Sequence, residues 1–174
     1  FRITRELDAR LPIPVFHDDQ HGTATVVLAG LYSALKQTGK EITKLRCVIN
    51  GAGAAGTAIA DLLMHAGMPD AILCDRAGII YDGRTENMNE EKDALAKRTN
   101  RKKLSGSLAD AMKGADLFIG VSQPNVVSRE MVKSMAKDPI IFALSNPVSE
   151  ISREDALAGG AAIYADGRTM NNAL

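Results

Sequence analysis

Leu45-Arg46-Cys47-Val48-Ile49-Asn50-Gly51-Ala52-Gly53-Ala54-Ala55-Gly56 decides how this chain folds. Residues 45–50 form a short apolar, partly β-branched run, which reads as a strand. A Gly-x-Gly-x-x-Gly turn follows directly, and residues 54–66 continue with helical spacing. In that context each glycine has a separate role. Gly51 permits the tight turn, Gly53 lets backbone approach a pyrophosphate, and Gly56 lets the helix pack close to the strand. The helix N-terminus, with Ala54 and Ala55 in its first turn, offers free N–H groups to phosphate. A second strand ends near Asp75, 19 residues after Gly56. That spacing suits a carboxylate holding the adenosine ribose hydroxyls. Asp75 favours NAD, because a carboxylate there would repel a 2′-phosphate. Arg76 could bind such a phosphate, which keeps NADP open. The bland alternative is a glycine-rich turn in an α/β core that binds nothing.

The same alternation extends outward in both directions. Short apolar runs at 45–50, 71–74, 116–120, 139–144 and 161–164 read as strands. Helical patterns fall at 54–66, 90–98, 107–113, 128–136 and 152–158. The expectation is a doubly wound parallel α/β sheet of Rossmann type. Before it, residues 23–36 read as a helix with Val27, Leu28, Leu31 and Leu35 on one face, Thr23 as its cap and Gly39 as its end. Residues 78–103 are the least regular part, polar and basic toward 97–103. The organisation expected is residues 1–22 as the end of a substrate or metal domain with a connecting motif, and 23–174 as the dinucleotide-binding domain.

Bulk properties narrow the function classes. The 174 residues suffice for one domain with a real core. Twenty-one basic and 21 acidic residues balance to zero net charge, giving no reason to expect nucleic acid or an anionic membrane as partner. The apolar runs are far too short to span a bilayer. Cys47 and Cys74 sit in apolar strand-like runs without CxxC spacing, which fits reduced thiols in a cytoplasmic core.

A second motif lies upstream. Pro14-Val15-Phe16-His17-Asp18-Asp19-Gln20-His21-Gly22-Thr23 puts two carboxylates and two imidazoles at the mouth of a helix. Three readings compete. The carboxylates could bind Mg²⁺ or Mn²⁺, one ligating while the other orients a catalytic group. His17 and His21, spaced i and i+4, could imitate the zinc motif HExxH, but Pro14 and Gly22 argue for a helix that starts after the motif. The aspartates could simply cap the helix and favour its positive end.

With these residues in view, the chain resembles the malic enzymes of bacterial type. The signature is Ile13-Pro14-Val15-Phe16-His17-Asp18-Asp19-Gln20-His21-Gly22-Thr23, and the cofactor turn runs from Val48 to Gly56. Further matches are Gly114-Ala115-Asp116-Leu117-Phe118-Ile119-Gly120-Val121-Ser122 and Phe142-Ala143-Leu144-Ser145-Asn146-Pro147-Val148-Ser149-Glu150-Ile151. The resemblance implies metal-dependent oxidation and decarboxylation of malate to pyruvate with NAD(P), in a homodimer or larger homo-oligomer. It implies Asp19 as a metal ligand and Asp18 as support for a catalytic lysine. It implies Asn146 at the substrate or the nicotinamide ribose, and Asn171 and Asn172 at the substrate carboxylate. Ser122 and Asn125 lie in the loop where the cofactor passes. In the family a catalytic tyrosine, the lysine and a Glu-Asp metal pair precede the signature, so residues 1–174 are expected to hold the cofactor but not the whole chemistry. A non-catalytic NAD-binding module, or an oxaloacetate decarboxylase alone, are the other readings.

Overall fold

The computed structural model describes residues 2–168, with the side chains of Arg2 and Arg5 left aside. A six-stranded sheet forms the centre: β1 (Cys47–Asn50), β2 (Ala71–Asp75), β3 (Gly78–Ile79), β4 (Leu117–Gly120), β5 (Ile140–Ala143) and β6 (Ile163–Asp166). The strand order is β3-β2-β1-β4-β5-β6. All neighbours are parallel except β3, which turns back antiparallel on β2. This is the expected doubly wound sheet. The order reverses between β1 and β4, and a crevice opens at such a point beyond the carboxyl ends of the strands.

Burial on both faces explains why the strands read as continuous apolar runs. Alternate residues feed two cores. Cys47, Ile49, Leu117, Ile119, Ile140 and Phe142 pack beneath α2 (Thr23–Thr38) and α3 (Ala54–His65). Val48, Ile72, Phe118 and Ile141 pack on the opposite side against α5 (Leu108–Met112), α6 (Arg129–Lys133) and α7 (Arg153–Ala158). Cys47 and Cys74 fall in different cores, so they cannot pair, and both are free. Burial pushes both thiols up, that of Cys74 to about 12 with the Asp75 charge adding to it. Among the described residues no helix is long and apolar enough to cross a membrane.

Several boundaries differ from expectation for local reasons. The helices on the second face are shorter than their patterns but start where serine caps them. Ser107, Ser128 and Ser152 accept the N–H three residues on. Strand β6 begins later than 161 because Ala161 and Ala162 donate to Ala156 and Pro139 in a turn. Three elements were not expected: α1 (Arg2–Arg10), a 3-10 turn at Ile42–Lys44 and the two-residue strand β3. Helix α4 (Glu90–Ala96) begins on the Asn89 side chain, which accepts the Lys92 N–H.

Candidate cofactor site

The crevice is built by the stretch that decided the fold. Gly51 has φ +123°, and a Cβ there would stand 2.8 Å from the Val121 carbonyl oxygen. Only glycine fits that turn without strain. A Cβ at Gly56 would overlap the Gly51 carbonyl oxygen and stand 2.9 Å from its carbon, so α3 reaches the strand end only because position 56 is bare. Gly53 caps α3 and has nothing within 4 Å of an added Cβ, leaving its backbone open to a ligand. The Asn50 side-chain amide donates to Ser122 Oγ at 2.7 Å and ties the end of β1 to the loop after β4.

These residues open onto a cavity of about 1060 Å³, lined by Gly51, Gly53, Asp75, Arg76, Ser122 and Gln123 among others. Its size suits an extended ligand of dinucleotide dimensions. Ala54, Ala55 and Gly56 form the first turn of α3 behind the wall. Asn125 and Asn146 sit exposed on the loops after β4 and β5 and do not line the cavity. Asn125 adopts φ +57° and donates its N–H to Ser149. Asn171 and Asn172 lie outside the described residues.

Asp75 is present at the cavity but its carboxylate is already engaged. Arg84 grips it through Nη1 at 3.0 Å and Nη2 at 2.6 Å. Lys92 Nζ adds a contact at 2.6 Å and Asn87 Nδ2 one at 2.9 Å. Burial alone would raise this carboxyl. The hydrogen bonds from Arg84, Lys92 and the Ala77 N–H outweigh it and pull it down to about 2. The buried Arg84 and the half-buried Lys92 therefore surround one anion, with Arg76 exposed beside them. That balance undercuts the expected repulsion of a 2′-phosphate. Arg84, Asn87 and Lys92 were missed because they come from residues 78–103, where polar composition concealed a built network. The hairpin of β2 and β3 is what returns Arg84 to Asp75; its Nη1 also donates to the carbonyls of Gly78 and Ile79.

The upstream motif differs from expectation in its backbone. Asp18–Gly22 form a π-helical turn that runs straight into α2, so helix begins across the motif rather than after it. Gly22, not Thr23, precedes α2, and no side chain caps either helix start, which removes the capping role for both Thr23 and the aspartates. A Cβ at Gly22 would overlap Asp18 Oδ1, so a larger residue there would turn the exposed Asp18 carboxylate away from the turn. His21 Nδ1 accepts the His17 backbone N–H at 3.0 Å, and the Phe16 ring stacks at an angle on His21 with centroids 5.4 Å apart. An accepting Nδ1 leaves the ring's N–H on Nε2, the nitrogen through which such a motif ligates zinc, which counts against the zinc reading. Asp18 and Asp19 are exposed. Among the described residues no group of three or more His, Cys, Asp or Glu is placed to hold a metal. Mg²⁺ wants near-octahedral oxygen coordination, and an adjacent pair of carboxylates does not complete it.

Comparison with known proteins agrees with this geometry. Residues 20–173 match the family model described as malic enzyme, NAD binding domain. The bifunctional malic/malolactic enzyme of Bacillus subtilis is 51% identical over 179 residues, covering 100% of this chain and 44% of that protein. The NADP-dependent malic enzyme of Rhizobium meliloti is 46% identical over 182 residues, covering 100% of this chain and 23% of that protein. The crystal structure of the NAD-dependent malic enzyme from Thermotoga maritima superposes with a TM-score of 0.94 at 46% identity, over 97% of this chain and 45% of that one. The chain thus spans less than half the length of these relatives.

Proposed function

The chain belongs to the malic enzyme family and carries its NAD-binding domain, and from that premise we propose that the protein oxidises L-malate to pyruvate and CO₂ while reducing NAD or NADP. The observation that carries this is the Gly51–Gly56 turn opening onto the crevice between β1 and β4, with Asp75 and its cations at one end and Ser122 at the other. When bound, the dinucleotide would supply a hydride acceptor for the oxidation. The chain's own residues bind and orient it. The first turn of α3 and the bare Gly53 backbone would receive the pyrophosphate. Asp75, its carboxylate engaged by Arg84 and Lys92, would stand at the adenosine-ribose end of the site. Ser122, with Asn125 and Asn146 nearby, borders the nicotinamide half, and Asn146, Asn171 and Asn172 are the proposed substrate contacts.

Net positive charge around Asp75 supports NADP as readily as NAD. The Mg²⁺ or Mn²⁺ ion implied by the resemblance would take Asp19 as one ligand, with Asp18 supporting a catalytic lysine. The described residues alone do not complete that site. A homodimer or higher homo-oligomer in the cytoplasm belongs to the same proposal.

The test is an assay of the intact protein with L-malate and Mn²⁺, following NAD and NADP reduction in parallel and quantifying pyruvate. Reduced dinucleotide and pyruvate are expected in equal amounts. Dinucleotide binding without malate-dependent reduction would replace this proposal with a non-catalytic binding module. CO₂ release from oxaloacetate alone would replace it with a decarboxylase.

A further inference from the structure

A buried carboxylate joins the two loops on the far half of the crevice. Glu150 is 0% exposed and stands between β5 and α7. Its Oε1 accepts the Ser122 N–H at 3.0 Å, from the loop after β4. Its Oε2 accepts the Ser145 N–H at 3.1 Å, from the loop after β5. The Glu150 carbonyl accepts the Val127 N–H at 3.0 Å, and the Ser149 carbonyl accepts the Asn125 N–H at 3.1 Å. Two neighbouring residues thus anchor both loops. Gly120 at the end of β4 makes the room, since a Cβ there would lie 2.6 Å from Glu150 Oε2.

Such a carboxylate could be no more than a loop staple. Its placement argues for more. Ser122 lines the cavity, and its hydroxyl accepts from Asn50, the residue before the glycine turn. Glu150 is therefore two hydrogen bonds from the start of the phosphate-binding turn. A dinucleotide crosses from one half of the sheet to the other at this point.

We propose that Glu150 is a positioning residue for the hydride-accepting end of the dinucleotide. Its carboxylate holds the loops after β4 and β5 at a fixed separation and so sets where the nicotinamide ring lies. It acts through Ser122 and the Ser145–Asn146 segment and touches no reacting atom. This assignment rests on the dinucleotide-dependent reading above and adds a residue to it.

Glu150→Gln in the intact protein tests it. Glutamine matches glutamate in size but offers one oxygen and an NH₂, so one of the two N–H groups meets a donor. The probes are NADH and NADPH, whose nicotinamide fluorescence lifetime lengthens when the ring is held. In the variant, Kd for the reduced dinucleotide is expected to stay within about threefold of wild type, while bound lifetime falls toward the free value and kcat for malate drops about 10- to 100-fold through misplacement of the ring. Glu150→Asp, with the charge kept but the reach shortened, should fall between. Wild-type lifetime and kcat in Glu150→Gln overturn the proposal. Loss of binding in step with loss of folded protein, with Glu150→Asp unchanged in lifetime, also overturns it in favour of a plain staple. A shortened lifetime in a protein that turns over no malate leaves the positioning role standing and removes only the activity.

Discussion

Gly56→Ala is expected to abolish dinucleotide binding and to destabilise the domain by about 3 kcal/mol, a large single-residue effect produced by backbone overlap. The added methyl would overlap the Gly51 carbonyl oxygen and meet Ile49 Cγ2 at 3.5 Å. The first of these is backbone at the foot of the turn and has no rotamer to escape into. Helix α3 must retreat from β1, which moves its N-terminal N–H groups away from the phosphate position. For a chain of this size the melting temperature should fall by roughly 6–12 °C. Gly53→Ala is the matched control. It meets nothing within 4 Å and its φ of −89° suits alanine. It should fold like wild type yet bind dinucleotide more weakly, because its methyl occupies the ligand's side. Calorimetry and fluorescence titration of both variants check the pair. Equal binding by Gly56→Ala and wild type would sink the close-packing argument.

Arg84→Ala is expected to destabilise by about 3 kcal/mol, the scale for removing one partner of a buried ion pair. Arg84 and Asp75 side chains are only 5% and 9% exposed. Lys92 and Asn87 would remain on Asp75, which keeps the loss from being larger. The variant should also change the acid limb of stability. Asp75 titrates near 2 in the folded chain against 3.8 ordinarily. A carboxyl depressed on folding contributes stability that is fully present above about pH 4 and is lost as pH falls toward 2; here it amounts to about 2 kcal/mol. In Arg84→Ala the folded value rises and this contribution shrinks at every pH above 4. Urea midpoints between pH 3 and 7 would show it. Parallel curves for the two proteins, offset by nothing, would mean that the Arg84 contacts hold no net stability.

The parallel sheet and the glycine turn were legible because the residues themselves impose them: buried strands must be apolar, and a helix can touch a strand end only over glycine. The long-range network around Asp75 was not. Arg84, Asn87 and Lys92 are ordinary polar residues in a stretch without periodicity, and nothing local announces that the hairpin folds them onto one carboxylate. Glu150 was equally silent, since its partners are backbone N–H groups 28 and 5 residues away. The backbone of the Asp18-Asp19 motif was misjudged because Gly22 reads as a helix stop. It is instead the space that lets the Asp18 side chain fold over a widened turn.

The central position of β1 has a consequence for how the chain is made. Cys47 pairs with Ala71 on one side and Leu117 on the other, separations of 71 − 47 = 24 and 117 − 47 = 70 residues. A nascent chain emerging from the ribosome can therefore complete one flank of β1 long before the other. Over that interval the strand presents an unpaired apolar border, the condition under which partly made chains associate wrongly. Ribosome-stalled chains ending before residue 117 should be captured by hydrophobic-binding chaperones more strongly than chains extending past β5, and equal capture would contradict this order of assembly.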